Sequence, residues 1–115
     1  MVSVSTLRWW RSYFEDDDIL FYFEVGDDGW VARQVELHGD ARIPVAAASI
    51  AEMPVVRRAE DLRALQEYHA IYGGIADQPV STWDPGFPHE DITSHEFQAQ
   101  WTAARAHLER LSGGK

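Results

Sequence analysis

Asp18-Ile19-Leu20-Phe21-Tyr22-Phe23-Glu24-Val25-Gly26-Asp27-Asp28-Gly29-Trp30-Val31-Ala32-Arg33-Gln34-Val35-Glu36-Leu37 decides the fold of this chain. Two runs rich in β-branched and aromatic residues flank a Gly-Asp-Asp-Gly break, which reads as a β-hairpin. A two-residue Asp27-Asp28 turn would pair Val25 with Trp30 and Phe21 with Gln34, mixing apolar and polar residues on one face. A three-residue Asp27-Asp28-Gly29 loop needs a left-handed residue at its third position, and Gly29 supplies it. Val25 then faces Val31, Phe21 faces Val35 and Ile19 faces Leu37. Side chains alternate with a period of two, so the register that keeps the apolar set together is favoured. One face becomes Ile19, Phe21, Phe23, Val25, Val31, Val35 and Leu37. The other carries Leu20, Tyr22, Glu24, Trp30, Ala32, Gln34 and Glu36.

Arg33 is out of place in that arrangement. It falls opposite Phe23 on the core face. Either its stem packs while its head reaches water or a carboxylate, or its guanidinium anchors an anionic ligand or a partner's carboxylate. On the other face Tyr22 and Trp30, edged by Glu24 and Glu36, form an aromatic surface. Left uncovered it is a candidate contact surface, because tyrosine and tryptophan are enriched at interfaces. Covered, it is ordinary packing.

The 115 residues suit a single domain, and 45% of them are hydrophobic, enough for a core without staples. The chain has no cysteine, which removes disulfides, thiolate metal sites and a cysteine nucleophile. No apolar run reaches membrane-spanning length and the start lacks a signal-peptide pattern, so a soluble, cytoplasmic protein with no membrane partner is expected. The net charge of −9 makes nucleic acid a poor partner and favours basic proteins or cationic ligands. Glu15, Asp16, Asp17, Asp18, Glu24, Asp27, Asp28, Glu36 and Asp40 hold nine of the 19 acids, concentrated on the hairpin and its turns. They read either as solvated loops or as an acidic rim that speeds association with a basic partner.

Val2 to Phe14 reads as a first strand, with Trp9 and Trp10 on opposite faces. His38-Gly39-Asp40 is a turn before a fourth run, Ala41 to Ala48, whose Pro44 lacks a donor and suits an edge strand. Ser49 to Arg58 reads as connecting chain with room for a short strand. From Ala59 to Tyr72, Leu62, Leu65, His69 and Tyr72 fall on one helical stripe, with acids in the first turn and Gly73 at the stop. A lone histidine on such a stripe is expected to be a satisfied core residue rather than a ligand. Gly74 to Asp91 is a long connection in which Pro79, Pro85 and Pro88 deny regular structure, while Trp83 and Phe87 give it something to bury. It is a lid or a strap across the sheet. The last element is a helix. Thr93 and Glu96 make a capping box, Ile92 and Phe97 a staple, and Phe97, Trp101, Ala104, Leu108 and Leu111 an apolar stripe. Residues 112–115 read as a flexible tail, with Gly113 ending the helix.

The succession Leu7-Arg8-Trp9-Trp10, Phe14-Glu15-Asp16-Asp17, Leu20 to Val25, Gly26 to Trp30, Arg33 to Leu37, then Ile92 to Phe97 with Trp101 resembles a family of small bacterial domains of unknown function. The resemblance covers roughly residues 6–48 and 92–104 and implies no activity. It implies a Trp10 turned inward with Phe14, since family members alternate apolar residues up to the strand-end tryptophan. Arg11-Ser12 stands where members often carry a His-His pair, so no role for those histidines carries over. The Ala59 helix and the Trp83 loop are additional chain, which could create a pocket or a partner surface.

Motifs for chemistry are sparse. His89-Glu90-Asp91 and His95-Glu96 lack zinc or calcium spacing, so no metal and no cofactor is assigned. Gly26 to Gly29 joins two strands and is not a phosphate loop. No serine sits in a nucleophile elbow.

The expected fold is α+β: a four-stranded antiparallel meander packed by the terminal amphipathic helix, with one additional helix. Two functions fit. The first is an acidic protein-binding module of the immunity or inhibitor type that engages a basic partner through Arg33, Tyr22, Trp30, Glu36, Trp83 and Phe87. The second is a small cofactor-free enzyme, such as an isomerase or cyclase, acting on an organic molecule held between the sheet and the 76–91 loop. Arg33 would anchor the substrate there, and Glu24 or His89 would move the proton.

Overall fold

The computed structural model describes residues 7–113, so the Val2–Thr6 part of the expected first strand and the end of the expected tail lie outside it. Strands β1 (Arg8–Phe14), β2 (Ile19–Val25), β3 (Val31–His38) and β4 (Ile43–Ser49) form the antiparallel meander. Helix α1 spans Ala59–Tyr72 and helix α2 spans Ser94–Leu111. A fifth strand, β5 (Glu90–Asp91), pairs with β1, giving the order β4-β3-β2-β1-β5. The sheet therefore has one strand more than expected. At two residues, β5 is too short to display a period, and it is the end of what reads as loop.

The hairpin closes as a three-residue loop. The Gly26 amide donates to the Trp30 carbonyl at 2.9 Å, and Gly29 takes φ +84°. Beyond the Val25–Val31 pair the register departs from the expectation. Glu24 faces Arg33, Phe23 faces Gln34, Tyr22 faces Val35 and Leu20 faces Leu37. Ala32 is the extra residue, a bulge that moves every later β3 side chain to the opposite face relative to β2. Arg33 therefore lies opposite a carboxylate, not opposite Phe23. Val35 and Leu37 share a face with Tyr22 and Leu20, not with Phe21 and Phe23. A single apolar face suits a sheet buried on one side, and this sheet buries both.

On one face Tyr22, Val35, Leu37 and Ala47 pack under Phe97, Ala104 and Leu108 of α2, with Trp9, Leu20, Ile92 and Trp101 at the border. On the other, Trp10, Phe23, Val25 and Val31 pack against Ile75, Ala76, Val80, Trp83 and Phe87. Each indole of the Trp9-Trp10 pair thus has its own core. Trp10 is buried as the resemblance implies, while Phe14 is only half-buried. Helix α2 starts where the capping box places it: the Glu96 amide donates to Thr93 Oγ1 at 3.0 Å, and Glu96 accepts from the Thr93 amide at 3.4 Å. Such a cap contributes about 1 kcal/mol.

The 74–91 connection is a strap. The Ala76 amide donates to Gln34 Oε1 and the Val80 amide to the Gly29 carbonyl, both at 2.8 Å, while Trp83 meets Phe23 edge-on and Phe87 packs on it at a tilt. Ser49, the first residue of the expected connection, is the last of β4, and from there to Arg58 there is no further strand; Ile50–Glu52 form a 3₁₀ turn. Pro44 does lie on an edge strand.

Candidate functional site

The residues singled out in the sequence do not converge. Arg33 grips Glu24 with two bonds of 2.8 Å, Nε to Oε1 and Nη2 to Oε2. Trp9 Nε1 donates to Glu24 Oε2 at 2.9 Å, and Arg33 Nη1 donates to Gln98 at 3.2 Å. The guanidinium also lies 4.9 Å from the ring centres of both Phe97 and Trp101. Arg33 is thus a packed stem with a paired head, shut between β3 and α2. The Arg33 bond holds the Glu24 carboxyl below its ordinary range, against the opposing effect of burial. Glu24 is therefore an ionised structural partner at neutral pH.

Tyr22 is 6% exposed and covered by α2, so it belongs to the core rather than to an open aromatic surface. Glu36 is bonded to His38 at 2.6 Å. Trp83 and Phe87 are on the opposite face from Arg33 and Glu24, and the His89 ring packs at a tilt on Trp10, centroids 4.5 Å apart, on that same far side. Between strap and sheet lies a small pocket of about 220 Å³, lined by Phe14, Phe21, Phe23, Gln34, Ala76, Trp83 and Phe87. Its lining holds no ionisable side chain, and Arg33 and Glu24 are on the wrong side of the sheet to reach it.

Of the proposed contact residues, Trp30 alone is openly presented, at 46% exposure. It leads to a larger cleft that the sequence did not disclose. About 720 Å³ in volume, the cleft lies between the hairpin end, the 3₁₀ turn, α1 and the start of the strap. Its apolar lining comprises Trp30, Val31, Ala32, Ile50, Met53, Leu65, Ile75 and Ala76. Asp27, Asp28 and Asp77 are exposed at its mouth, and His69 lines it. Among the described residues none of these three aspartates is in an ion pair. The Asp28 carboxylate accepts from the Trp30 amide at 3.0 Å, which fixes the indole's base at the turn.

The cleft exists because α1 stands off the sheet. None of its residues is buried. It is held at one side by a polar clasp. Tyr68 Oη accepts from the Ser49 amide at 2.8 Å and donates to Glu52 at 2.6 Å, and Tyr72 Oη donates to Glu109 at 2.9 Å. Arg105 of α2 reaches the same place. It bonds the Ala47 carbonyl at 2.7 Å, pairs with Glu52 and lies 3.9 Å from the Tyr72 ring centre. Burial, reinforced by the Glu52 bond, pushes the Tyr68 phenol up to about 12. With the tyrosines turned to the clasp, Leu65 and His69 face the cleft. His69 is thus an exposed lining residue and not the core histidine expected of its stripe. The stripe was legible, but its partner was not. Gly73 then carries the chain past β4 at φ +77°, so close that an added Cβ would lie 2.5 Å from that of Ala46.

Among the described residues no group of three or more His, Asp or Glu side chains is placed to hold a metal, and no helix is long and apolar enough to cross a membrane. Compared with known proteins, the chain matches no family model, no curated protein and no solved structure.

Proposed function

We propose that this chain is an acidic protein-binding module, of the immunity or inhibitor type, that engages a basic partner at the Trp30 cleft. The observation that carries the proposal is the pairing of an exposed indole and an apolar trough with three aspartates at the mouth that form no ion pair among the described residues. Apolar burial supplies affinity, and tryptophan is the residue type most often dominant at interfaces. The carboxylates, on a chain of net charge −9, steer a basic surface into register. Acid–base catalysis in the strap pocket has less support. Its lining carries no proton-transfer group, and Glu24 is spent on Arg33.

The test is capture from the protein's own cells at low salt, followed by reconstitution with the purified partner. Binding should weaken steeply as salt rises, chiefly through the association rate. Trp30→Ala should weaken it about a hundredfold, as expected for a central aromatic anchor. A partner indifferent to both salt and Trp30→Ala would overturn this reading.

A further inference from the structure

Resting on that reading, the docked element can be specified. We infer that the cleft takes a basic amphipathic α-helix of the partner, not an extended strand and not a second copy of this chain.

Peptide segments dock on domains chiefly by adding a strand to a sheet edge or by laying a helix in a groove. Strand addition needs free backbone donors and acceptors. Beside this cleft several of them are already used. At the hairpin end the Gly26 amide bonds Trp30, the Gly29 amide bonds Gly26, and the Gly29 carbonyl receives the Val80 amide. At the β4 edge the Ser49 amide is taken by Tyr68 and the Ala47 carbonyl by Arg105. A helix brings its own backbone bonds and needs only an apolar trough. The trough is built for that. Leu65 of α1 forms one wall, and Trp30, Val31 and Ile75 lie across from it. Ile50 of the lining is 54% exposed, and Leu62, three residues before Leu65 on α1 and 47% exposed, adds apolar surface outside it.

The volume agrees with this occupant. About 720 Å³ is far more than a single side chain occupies, and it suits a row of anchors at i, i+3 or i+4, and i+7. Charge selects among helices. Asp27, Asp28 and Asp77 call for Lys or Arg on the flanks of the apolar stripe. Charge also argues against self-association, because two chains of −9 repel.

The experiment uses the intact chain and three synthetic peptides of about 15 residues, a length at which an isolated helix is marginal and folding on binding can be read. One carries leucine at helical spacing with lysine elsewhere. The second has the same composition with leucine and lysine alternating. The third is the first with glutamate for lysine. Calorimetry and circular dichroism at low salt should show the first binding at least about tenfold tighter than the second, with helix forming on binding. Leu65→Ala and Trp30→Ala should each weaken it, and Asp27→Asn with Asp77→Asn should weaken it in a salt-dependent way. All four positions border open space, so these variants keep the fold. Equal or tighter binding of the alternating peptide would overturn the helix inference while leaving a basic partner in place. Equal binding of the acidic peptide, or no binding of either basic one, would overturn the proposed function as well.

Discussion

The two helices have similar apolar stripes and opposite fates. Helix α2 buries Phe97, Ala104 and Leu108 on the sheet at 0%, 1% and 6% exposure. Helix α1 has no fully buried residue; only Tyr72 packs at the margin of that core, and the helix is fastened by tyrosines, a glutamate and an arginine. The difference shows that an amphipathic stripe announces an apolar face but not what that face meets. For α2 it is the chain's own sheet. For α1 it is an open trough.

That contrast can be broken from the α2 side first. Phe97→Ala removes a fully buried ring and the guanidinium's resting surface, and should destabilise the chain by about 3–5 kcal/mol, read as a large fall in the urea midpoint. Gly73→Ala comes next. The left-handed backbone and the clash with Ala46 together should cost about 2 kcal/mol or more. Because this junction sets where α1 stands, exchange of the α1 amides should accelerate as well.

Glu24→Gln leaves Arg33 without its charge partner and should cost about 2 kcal/mol at neutral pH. The sign with pH follows from the lowered carboxyl value. The pair's contribution is complete above the ordinary carboxylate range, and it is lost as pH falls through the lower folded value. The variant should therefore show a flatter acid limb in urea midpoint against pH.

Tyr68→Phe tests the clasp. It should cost about 1 kcal/mol and loosen α1 while leaving α2 exchange unchanged. In the native chain this contribution holds below the phenol's ordinary value and is lost as pH rises through about 12. The smallest effect should be Leu62→Ala, within about 0.5 kcal/mol, because that side chain is 47% exposed. A loss near 3 kcal/mol there would mean that α1 is packed like α2, and the contrast between the helices would fail.

Much of this was written locally. The Asp27-Asp28-Gly29 loop, the capping box at Thr93 and Glu96, the bounds of α1 and the edge position of Pro44 all follow from backbone chemistry a few residues wide. What escaped depends on contacts distant in sequence. The bulge at Ala32 is favoured because α2 and the strap each demand their own apolar set. Strand β5 is defined only by its neighbour β1. The cleft gathers the hairpin, the 3₁₀ turn, α1 and the strap, and of its lining only Trp30 and the turn acids Asp27 and Asp28 read from sequence as candidates for contact. Arg33 was recognised as anomalous, but its partner Glu24 was hidden by the wrong register.

The bulge at Ala32 has a consequence for how this chain tolerates change. Strand β3 is read in two frames, with Val31 addressed to the strap side and Val35 and Leu37 to the helix side. Substitutions at Val31 and at Val35 or Leu37 therefore speak to different cores, and their effects should be nearly independent. Deleting that one alanine is another matter. It takes out the spare residue and not a paired one: Arg33 then follows Val31 directly, still opposite Glu24, and every later side chain keeps its side of the sheet, whereas deleting a paired residue such as Gln34 would act as a spatial frameshift.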